Sequence, residues 1–304
     1  MLNILKPLST SPSFNLAWEE YILKHIYNGN DLFLLWHNEK SIIVGRNQNP
    51  YQEVNLTYLD NQKIPLFRRI SGGGTVYHDL GNLNYTFITN ANKKVNNYEL
   101  MTKPIIDSLN KLGIKAYFSP KSDMKLNNYK IGGNAQFLYK NILLHHGTIL
   151  YDTNLESLKE SLQISKSHSS KSVKSRPSSV ININQFTKLT FSELVDFLYE
   201  DIAPKANLIT LSDYDLKAIK ALEKDKYLTK EWNYFESPNA TFFEAKNNYK
   251  ISFEIKKGLI KNSLIEYDNV SLPLIASLLN DKMPTPQELA FLKKDYSEIY
   301  NLIF

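Results

Sequence analysis

The sequence predicts an α+β protein with a large first domain and a small C-terminal domain. Segments with helical periodicity alternate with apolar, strand-like runs along the chain. Four strand-like segments follow one another between residues 115 and 150 with no helix between them, and Asn127-Asn128 between two of them suits a tight hairpin. The pattern changes again near residue 240, so we predict domains at 1–240 and 241–304. With 304 residues, 42% of them hydrophobic, the chain can bury a sizeable core.

Helices are expected where apolar residues recur at helical spacing. The first is Ser13–Tyr27, with Ser13 available as its cap, and Gly113 is expected to end the helix Tyr98–Leu112. The other helices of the first domain are predicted at Leu155–Leu162, Phe191–Ile202 and Asp215–Lys226. The strands are predicted at Asp31–His37, Ser41–Gly45, Pro65–Ile70, Asn84–Ile88, Lys115–Phe118, Met124–Leu126, Tyr129–Tyr139 and Leu143–Leu150.

Two other regions have a distinct character. Ile164–Ser179 is rich in Ser and Lys and poor in large apolar residues, so we expect a mobile loop. In the tail, two strands (Tyr249–Ile255 and Leu259–Tyr267) flank Lys257 and Gly258, and two helices follow at Leu272–Leu279 and Thr285–Lys293.

Composition excludes several functional classes. The chain has 36 Lys and Arg against 31 Asp and Glu, a net charge of +5 without long runs of like charge, so we expect no nucleic-acid binding. The absence of cysteine excludes disulfides, thiolate metal sites and a Cys nucleophile. No apolar run is long enough for a membrane span and the start does not resemble a secretory signal, so we expect a cytoplasmic protein that does not bind membranes.

The most informative segment is RRISGGGTVYHD, residues 68–79. Backbone N–H groups of the consecutive glycines Gly72, Gly73 and Gly74 can surround an anion, and the two preceding arginines can donate to a phosphate or carboxylate. The spacing matches neither a P-loop nor a dinucleotide fingerprint. The alternative is a strand-connecting turn with solvated arginines.

Three further motifs have polar side chains beside open backbone. Lys130 precedes a diglycine and can place a point charge in a pocket, although a solvated lysine is the alternative. His145 and His146 are adjacent on a strand and point to opposite faces, so they form a poor chelating pair, and we expect no metal centre fixed by the protein. One of the two can form hydrogen bonds within a pocket. The segment Arg46–Pro50 either contacts a polar ligand or forms a turn, and the turn is favoured for Asn49 and Pro50.

In this order, the motifs resemble the lipoate–protein ligase A family. The similar segments run from about Phe14 to Pro238, with a fainter match in the tail: FNLAWEE, VGRNQNPYQEVN, RRISGGGTVYHDLGNLNYTF, KIGGNA, HHGTIL, SVKSRPSSV and EWNYFESP. The resemblance implies a fold like that of biotin–protein ligases, with mixed sheets flanked by helices and a small C-terminal domain. It also implies ATP-dependent formation of lipoyl-AMP, with Mg²⁺, and transfer of the lipoyl group to a lysine of a carrier domain. The implied carriers are 2-oxoacid dehydrogenase acyltransferase subunits or a glycine-cleavage H-type protein.

The resemblance also implies roles for particular residues. Lys130 would be catalytic and would touch both the lipoyl carboxyl group and the phosphate. The implied ATP and adenylate contacts are Arg69, Gly74, Thr75, Val76, Tyr77, Asp123 and Lys130, and the implied lipoate contacts are Gly72, Gly73, Lys130 and His146. Asp123 would assist Mg²⁺ or adenine binding, and the loop Ile164–Ser179 would close over the adenylate. The chain departs from the family pattern at Thr75, Lys121, Ser122 and Gly132.

Two other functions remain open from the sequence. An octanoyl or lipoyl transferase that works without ATP resembles the ligases, but such relatives generally use a cysteine and this chain has none. A non-catalytic binder of lipoylated domains is the other alternative. For the ligase, we expect an apolar slot lined by Leu66, Phe67, Val76 and Tyr77. We expect no acyl-enzyme, because Ser71 lacks the Gly two positions before it that a nucleophile elbow requires.

Overall fold

A computed structural model describes residues 2–120, 122–163 and 168–304. Lys121 and residues 164–167 of the predicted loop Ile164–Ser179 lie outside the described residues. The α+β fold class is confirmed. The described strands are β1 (Asn3–Leu5), β2 (Leu32–Trp36), β3 (Ser41–Val44), β4 (Leu66–Arg68), β5 (Val76–His78), β6 (Asn82–Asn90), β7 (Tyr117–Phe118), β8 (Asp123–Leu126), β9 (Tyr129–Tyr139), β10 (Ile142–Leu150), β11 (His168–Ser170), β12 (Asn207–Leu208), β13 (Ala240–Lys246), β14 (Tyr249–Lys256), β15 (Leu259–Tyr267) and β16 (Val270–Ser271).

Helices lie between and around these strands. The α-helices are α1 (Pro12–Tyr21), α2 (Leu56–Gln62), α3 (Tyr98–Lys111), α4 (Leu155–Leu162), α5 (Phe191–Ile202), α6 (Asp213–Leu222), α7 (Pro273–Ser277), α8 (Leu292–Asp295) and α9 (Ser297–Ile303). Wider π-type turns occupy Ile22–Ile26, Glu223–Tyr227 and Glu231–Phe235, and 3₁₀ turns occupy Pro50–Gln52 and Ile183–Phe186.

The strands form three sheets. The largest has eight strands in the order β12-β1-β2-β6-β10-β9-β8-β7 and is mixed, because β1 runs parallel to both of its neighbours. A three-stranded sheet, β4-β3-β5, carries the glycine-rich segment between its outer strands. The third sheet, β11-β13-β14-β15-β16, belongs mostly to the C-terminal tail.

Each face of the large sheet is buried by different elements. One face packs on α3 and α5 through residues such as Phe87, Ile105 and Leu198. The opposite face packs on α1 through Leu34, Trp18 and other apolar residues. Both faces are therefore covered, and the site described below lies within the α1 side.

Local sequence signals explain several boundaries. The Asn97 side chain caps α3 by accepting a hydrogen bond from the Leu100 N–H at 3.2 Å, and Gly113 follows the helix with φ of 82°. Asn127 and Asn128 have φ of 48° and 68°, which confirms the predicted tight hairpin between β8 and β9.

Three sequence predictions need correction. The first helix begins at Pro12 rather than Ser13, since proline suits the first helical position, and the Ser13 hydroxyl donates to Glu223 at 2.6 Å instead of capping. In the tail, the predicted helix Thr285–Lys293 is a series of turns that leads into α8. The Glu288 carboxylate there accepts a hydrogen bond from the Met283 N–H at 2.8 Å, which replaces a regular helical start. The short strand β5 was not predicted.

The tail packs against the rest of the chain. Its sheet includes β11, which pairs with β13 and lies within the segment Ile164–Ser179, so part of the predicted loop forms a short strand. The Tyr51 hydroxyl donates to the Gly258 carbonyl at 2.9 Å, and the Gln287 amide donates to Asp60 at 2.6 Å. Among the described residues, no helix combines the length and apolar character that crossing a bilayer requires.

Candidate active site

The glycine-rich loop is wrapped around the side chain of Arg69. Its guanidinium donates to Ser71 Oγ at 2.9 Å and to the carbonyls of Ile43, Gly72 and Gly74 at 3.0, 2.6 and 2.7 Å. Burial lowers the pKa of Arg69 to about 10, while the negative charge of Glu19 acts to raise it. The guanidinium therefore remains protonated at neutral pH. Arg69 lines the pocket, but most of its N–H groups already have acceptors within the loop.

Arg68 is also directed into the protein. Its side chain is fully buried and donates to the carbonyls of Gly45, Gln48 and Asn233 at 3.0, 2.7 and 2.9 Å, and to Ser237 Oγ at 2.7 Å. The sequence-based idea that both arginines donate to a ligand is therefore wrong for Arg68. This residue joins the turn after β3 to the segment before the tail.

The turn after β3 and the glycine-rich loop approach each other closely because both have glycine at the point of contact. A Cβ atom on Gly45 would lie 2.3 Å from the Gly73 carbonyl oxygen, and Gly73 itself has φ of 87°. Only glycine permits both the close approach and the left-handed conformation. The loop's shape thus depends on backbone geometry, as the GGG run indicated.

The Ser-rich segment rests on this loop through Ser175. The Thr75 N–H donates to Ser175 Oγ at 2.9 Å, and the Gln48 amide donates to it at 3.1 Å. The Ser175 N–H in turn donates to Glu53 Oε2 at 3.1 Å, and burial raises the pKa of that carboxyl group. These contacts bring Lys174 and Arg176 to the pocket wall.

A β-bulge directs Lys130 into the pocket. Across β8 and β9, Asp123 pairs with Gly133 and Met124 with Gly132, but Lys125 pairs with Lys130. The extra residue is Ile131, which is buried in the core behind the sheet. Since alternate residues of a regular strand point to opposite faces, Lys130 and Gly133 would otherwise face opposite sides, and the bulge places both on the pocket side.

Lys130 and Asp123 form an ion pair at the mouth of the pocket. Lys130 Nζ lies 2.8 Å from Asp123 Oδ1, and their side chains are 27% and 14% exposed. A Cβ atom on Gly133 would lie 3.2 Å from Lys130 Cε and Nζ, so the missing side chain leaves room for the amine. A Cβ on Gly132 would lie 1.8 Å from the Thr148 carbonyl oxygen, which explains why this chain keeps glycine there.

His146 lies behind the glycine loop in a buried chain of hydrogen bonds. Its Nε2 is 2.7 Å from Ser71 Oγ, and its Nδ1 is 2.9 Å from Glu19 Oε1 on α1. Its neighbour His145 faces the other side of the sheet, where burial lowers its pKa to about 3. The opposite orientations of the two histidines are confirmed, and His146 is the one that lines the pocket.

Arg69, Asp123, Lys130 and His146 line one pocket of about 390 Å³ between the large sheet, the three-stranded sheet and α1. Its lining combines polar and charged residues with apolar ones. The residues from the glycine loop, from the segment around Lys130 and from the segment around Ser175 are Gly73, Gly74, Thr75, Ser122, Asp123, Lys130, Gly133, Asn134, Lys174, Ser175 and Arg176. The remaining lining includes Leu16, Trp36, Ile43, Val76, Ala135, His78, Asn84 and His146.

Some predicted residues lie elsewhere. Tyr77 packs with Ile42 and Val44 behind the three-stranded sheet, because it alternates with Val76 and His78, which face the pocket. The Tyr77 side chain therefore does not line the pocket.

Three more predicted residues are absent from the described lining. Leu66 and Phe67 pack into cores, so of the predicted apolar slot only Val76 lines the pocket. Gly72 acts through its carbonyl, which accepts from Arg69.

Sequence reasoning missed several lining or supporting residues. Trp36 and His78 lie at the ends of short strands, while Glu19 is 127 residues from its partner His146. Glu19 lies in the segment WEE and His78 in the segment YHD, and both segments belong to the motifs that resemble the family. Nothing in the sequence alone shows which way these side chains point. No cluster of three or more acidic, His or Cys side chains suited to a metal ion occurs in the part of the chain that the structure describes.

The fold thus places cationic side chains, glycine backbone and apolar side chains around one pocket. A family model described as the lipoyl protein ligase A/B catalytic domain matches residues 11–203, more than half of the chain. The chain therefore belongs to this family and is an enzyme of the ligase class, which confirms the resemblance in the sequence.

Individual relatives agree with this assignment. The chain is 37% identical over 282 residues to lipoate–protein ligase 1 of Staphylococcus aureus, covering 89% of this chain and 86% of that protein. A lipoate–protein ligase A solved with bound ATP has a TM-score of 0.65 and 26% identity, covering 76% of this chain and 97% of that one. A bipartite ligase from Thermoplasma acidophilum, described together with its E2 lipoyl domain, has a TM-score of 0.66 and 25% identity over 77% of this chain and 96% of its own.

Proposed function

We propose that this enzyme activates lipoate with ATP and transfers the lipoyl group to a lysine of a carrier domain. A lipoate carboxylate oxygen bonds to the α-phosphorus of ATP and pyrophosphate leaves, which gives lipoyl-AMP. The carrier's lysine amine then attacks the acyl carbonyl, AMP leaves, and the amine loses a proton as the amide forms. The observation that supports this proposal is a pocket whose lining combines cationic side chains, the glycine loop and apolar side chains.

Lys130 is the proposed catalytic residue. Its amine is half-buried, reaches the pocket through the bulge and has Asp123 as its acceptor. A lysine at this position neutralises negative charge on the carboxylate and the α-phosphate, both of which crowd together in the transition state. Positioning and charge neutralisation account for most of the catalysis that adenylation needs.

The glycine loop is the proposed phosphate and adenylate site. Gly73, Gly74 and Thr75 line the pocket, while Arg69 holds their backbone in place from behind. Lys174 and Arg176 also line the pocket, next to Ser175, whose contacts with Thr75 hold this segment against the glycine loop. We propose that this segment closes over the adenylate and excludes water, which protects the mixed anhydride.

Asp123 fits a magnesium role. It is the one carboxylate among the described residues that line the pocket, and Mg²⁺ is commonly held by one or two carboxylates together with substrate phosphates. Asp123 would hold the ion, which when bound neutralises phosphate charge.

The structure favours direct transfer over an acyl-enzyme. Ser71 is completely buried, accepts from Arg69 and lies against His146, so its hydroxyl is not open to a substrate carbonyl. The chain has no thiol, whereas an ATP-independent transferase needs a covalent acceptor or a second carrier in the site.

The remaining details are proposals of the same kind. The carriers would be acyltransferase subunits of 2-oxoacid dehydrogenases or a glycine-cleavage H-type protein, in the cytoplasm where ATP is available. We keep the domain division at 1–240 and 241–304. The 77% coverage by the bipartite Thermoplasma ligase supports it, although β11 joins the sheet of the second domain.

Pyrophosphate release with ATP, Mg²⁺ and lipoate, followed by mass spectrometry of apo-carrier domains, tests this function. We expect pyrophosphate to require lipoate and the carrier to gain one lipoyl group. Carrier modification that proceeds from a lipoylated donor without ATP would instead establish the transferase.

A further inference from the structure

The inner end of the pocket contains two buried nitrogen atoms without partners. His78 Nε2 and Asn84 Nδ2 belong to side chains that are 3% and 2% exposed, and neither atom has a hydrogen-bond partner among the described residues. Both residues line the pocket. Buried polar groups are rarely left unpaired, so these atoms point to a ligand that supplies acceptors.

A chain of hydrogen bonds fixes which nitrogen of His78 carries its proton. Asn15 Nδ2 faces the carbonyls of Ser9 and His37, both at 3.0 Å, so this atom must be the donor end of the amide. It also donates to Asn38 Oδ1 at 2.9 Å, which leaves the Asn38 NH₂ group directed at His78 Nδ1, 3.0 Å away. His78 Nδ1 is thus an acceptor, and Nε2 carries the hydrogen.

The ring is also neutral at ordinary pH. Burial, together with the charges of Arg69 and His146, lowers the pKa of His78 to about 3. At neutral pH the pocket therefore meets a neutral N–H donor rather than a cation, which suits an uncharged acceptor.

The register of the sheet places these donors away from the reacting end. The Gly133 N–H, beside Lys130, donates to Thr148 Oγ1 at 3.2 Å, and Thr148 pairs with Asn84 on the next strand. Asn84 lies two strands from Gly133, roughly 10 Å across the sheet. Trp36 pairs with Asn84, and its ring centroid lies 6.3 Å from that of His78. An extended medium-length acyl chain whose carboxyl group lies at Lys130 would end at these donors.

We propose that His78 and Asn84 hydrogen-bond the sulfur atoms of the lipoyl ring and thereby select lipoate over octanoate. This inference rests on the proposed function. Sulfur is a weak acceptor, but it can accept hydrogen bonds from these two donors. The methyl end of octanoate has no acceptor, and it would cover the same donors and keep water away from them. A site that hydrogen-bonds its substrate rejects an analogue lacking the acceptor more strongly than an apolar pocket does.

The test compares kcat/KM for lipoate and octanoate by pyrophosphate release. We expect the wild-type enzyme to prefer lipoate by about ten- to a hundredfold. Asn84→Leu and His78→Phe should each bring that ratio severalfold closer to one, by lowering the value for lipoate while leaving that for octanoate equal or higher. His145→Phe is the matched control, since it removes an equally buried neutral histidine outside the pocket, and its ratio should stay at the wild-type value.

Folding is checked by thermal melts, and Asn84→Leu alone decides the matter if His78→Phe does not fold. Folded variants that keep the wild-type ratio, or a wild-type enzyme that uses both acids equally, would overturn the inference while leaving ligase activity intact. A wild-type enzyme that releases no pyrophosphate with either acid would overturn the proposed function itself.

Discussion

The arginines behind the glycine loop and Lys130 on β9 differ in where their hydrogen bonds go. Behind the glycine loop, Arg68 and Arg69 are buried and donate mainly to backbone carbonyls of the protein. On β9, Lys130 is only half-buried and has the single carboxylate of Asp123 as its acceptor in the pocket. A cation whose donors are already used maintains the shape of a site, whereas a cation with free donors can act on a ligand.

The largest effect expected from this comparison is on Lys130→Ala. Loss of a charge that faces phosphate in a partly dehydrated pocket should raise the adenylation barrier by about 2–4 kcal/mol, or roughly 30- to 1,000-fold in rate. Pyrophosphate release measures this loss, and thermal melts should show an intact fold.

Lys125→Ala is the control for that experiment. Lys125 pairs with Lys130 across the same two strands but does not line the pocket, so its removal should change the rate less than about twofold. Equal rates for Lys130→Ala and the wild-type enzyme would remove Lys130 from the reaction.

Arg68→Lys should affect stability rather than chemistry. An ammonium group cannot satisfy the carbonyls of both the Gly45–Gln48 turn and Asn233, so the free energy of unfolding should fall by about 2–4 kcal/mol. Denaturant titration measures this change. Arg46→Lys, at an exposed ion pair with Glu236, should cost less than about 1 kcal/mol. A stable Arg68→Lys enzyme that has lost ATP binding would mean that Arg68 contacts the nucleotide.

Buried histidines extend the comparison, because burial keeps them neutral while the arginines stay charged. The pKa values of His78 and His145 are lowered to about 3, below the ordinary 6.5. The unfolded state therefore binds protons first as the pH falls, and stability is lost progressively from about pH 6.5 towards pH 3.

When the pH is lowered from 7 to 5, the free energy of unfolding should fall by about 2 kcal/mol for each of the two histidines. Chemical unfolding at both pH values measures this, and His145→Phe should remove about half of the dependence attributed to the pair. A pH dependence unchanged in His145→Phe would contradict a neutral buried His145.

Ser175→Ala should have the smallest effect. It removes the hydroxyl that accepts from the Thr75 N–H and the Gln48 amide, so the loop should dock about 1 kcal/mol less tightly. We expect a several-fold rise in KM for ATP with little change in stability. Ser172→Ala, whose hydroxyl bonds to Gln52 rather than to the glycine loop, should leave KM nearly unchanged. Equal KM values for both variants would mean that Ser175 does not position the loop.

The sequence predicted elements best where periodicity is strong and local. The bounds of α4, α5, β9 and β15 agree with the prediction, since each has a clear apolar pattern and a turn signal beside it. Short elements such as β1 and β12 were missed, because two or three residues carry no periodicity and depend on pairing with distant strands.

The sequence predicted many of the residues of the site but not the directions in which their side chains point. The sequence indicated both Arg69 and Lys130, yet nothing in it distinguishes an arginine that supports a loop from a lysine that faces a ligand. The bulge at Ile131 depends on how β8 pairs with β9, and the Glu19–His146 contact joins residues far apart in the chain. These features arise from tertiary pairing, which a local pattern does not contain.

A single-turnover experiment without carrier tests the central claim most directly. Enzyme, ATP, Mg²⁺ and lipoate are mixed at equal concentrations and quenched in denaturant, and lipoyl-AMP, pyrophosphate and the intact mass of the enzyme are measured together. We predict about one lipoyl-AMP and one pyrophosphate per enzyme, with no change in the enzyme's mass, because the activated acyl group is held as the adenylate. A lipoyl mass increment on the enzyme that disappears on adding carrier would contradict this account and establish a covalent transferase.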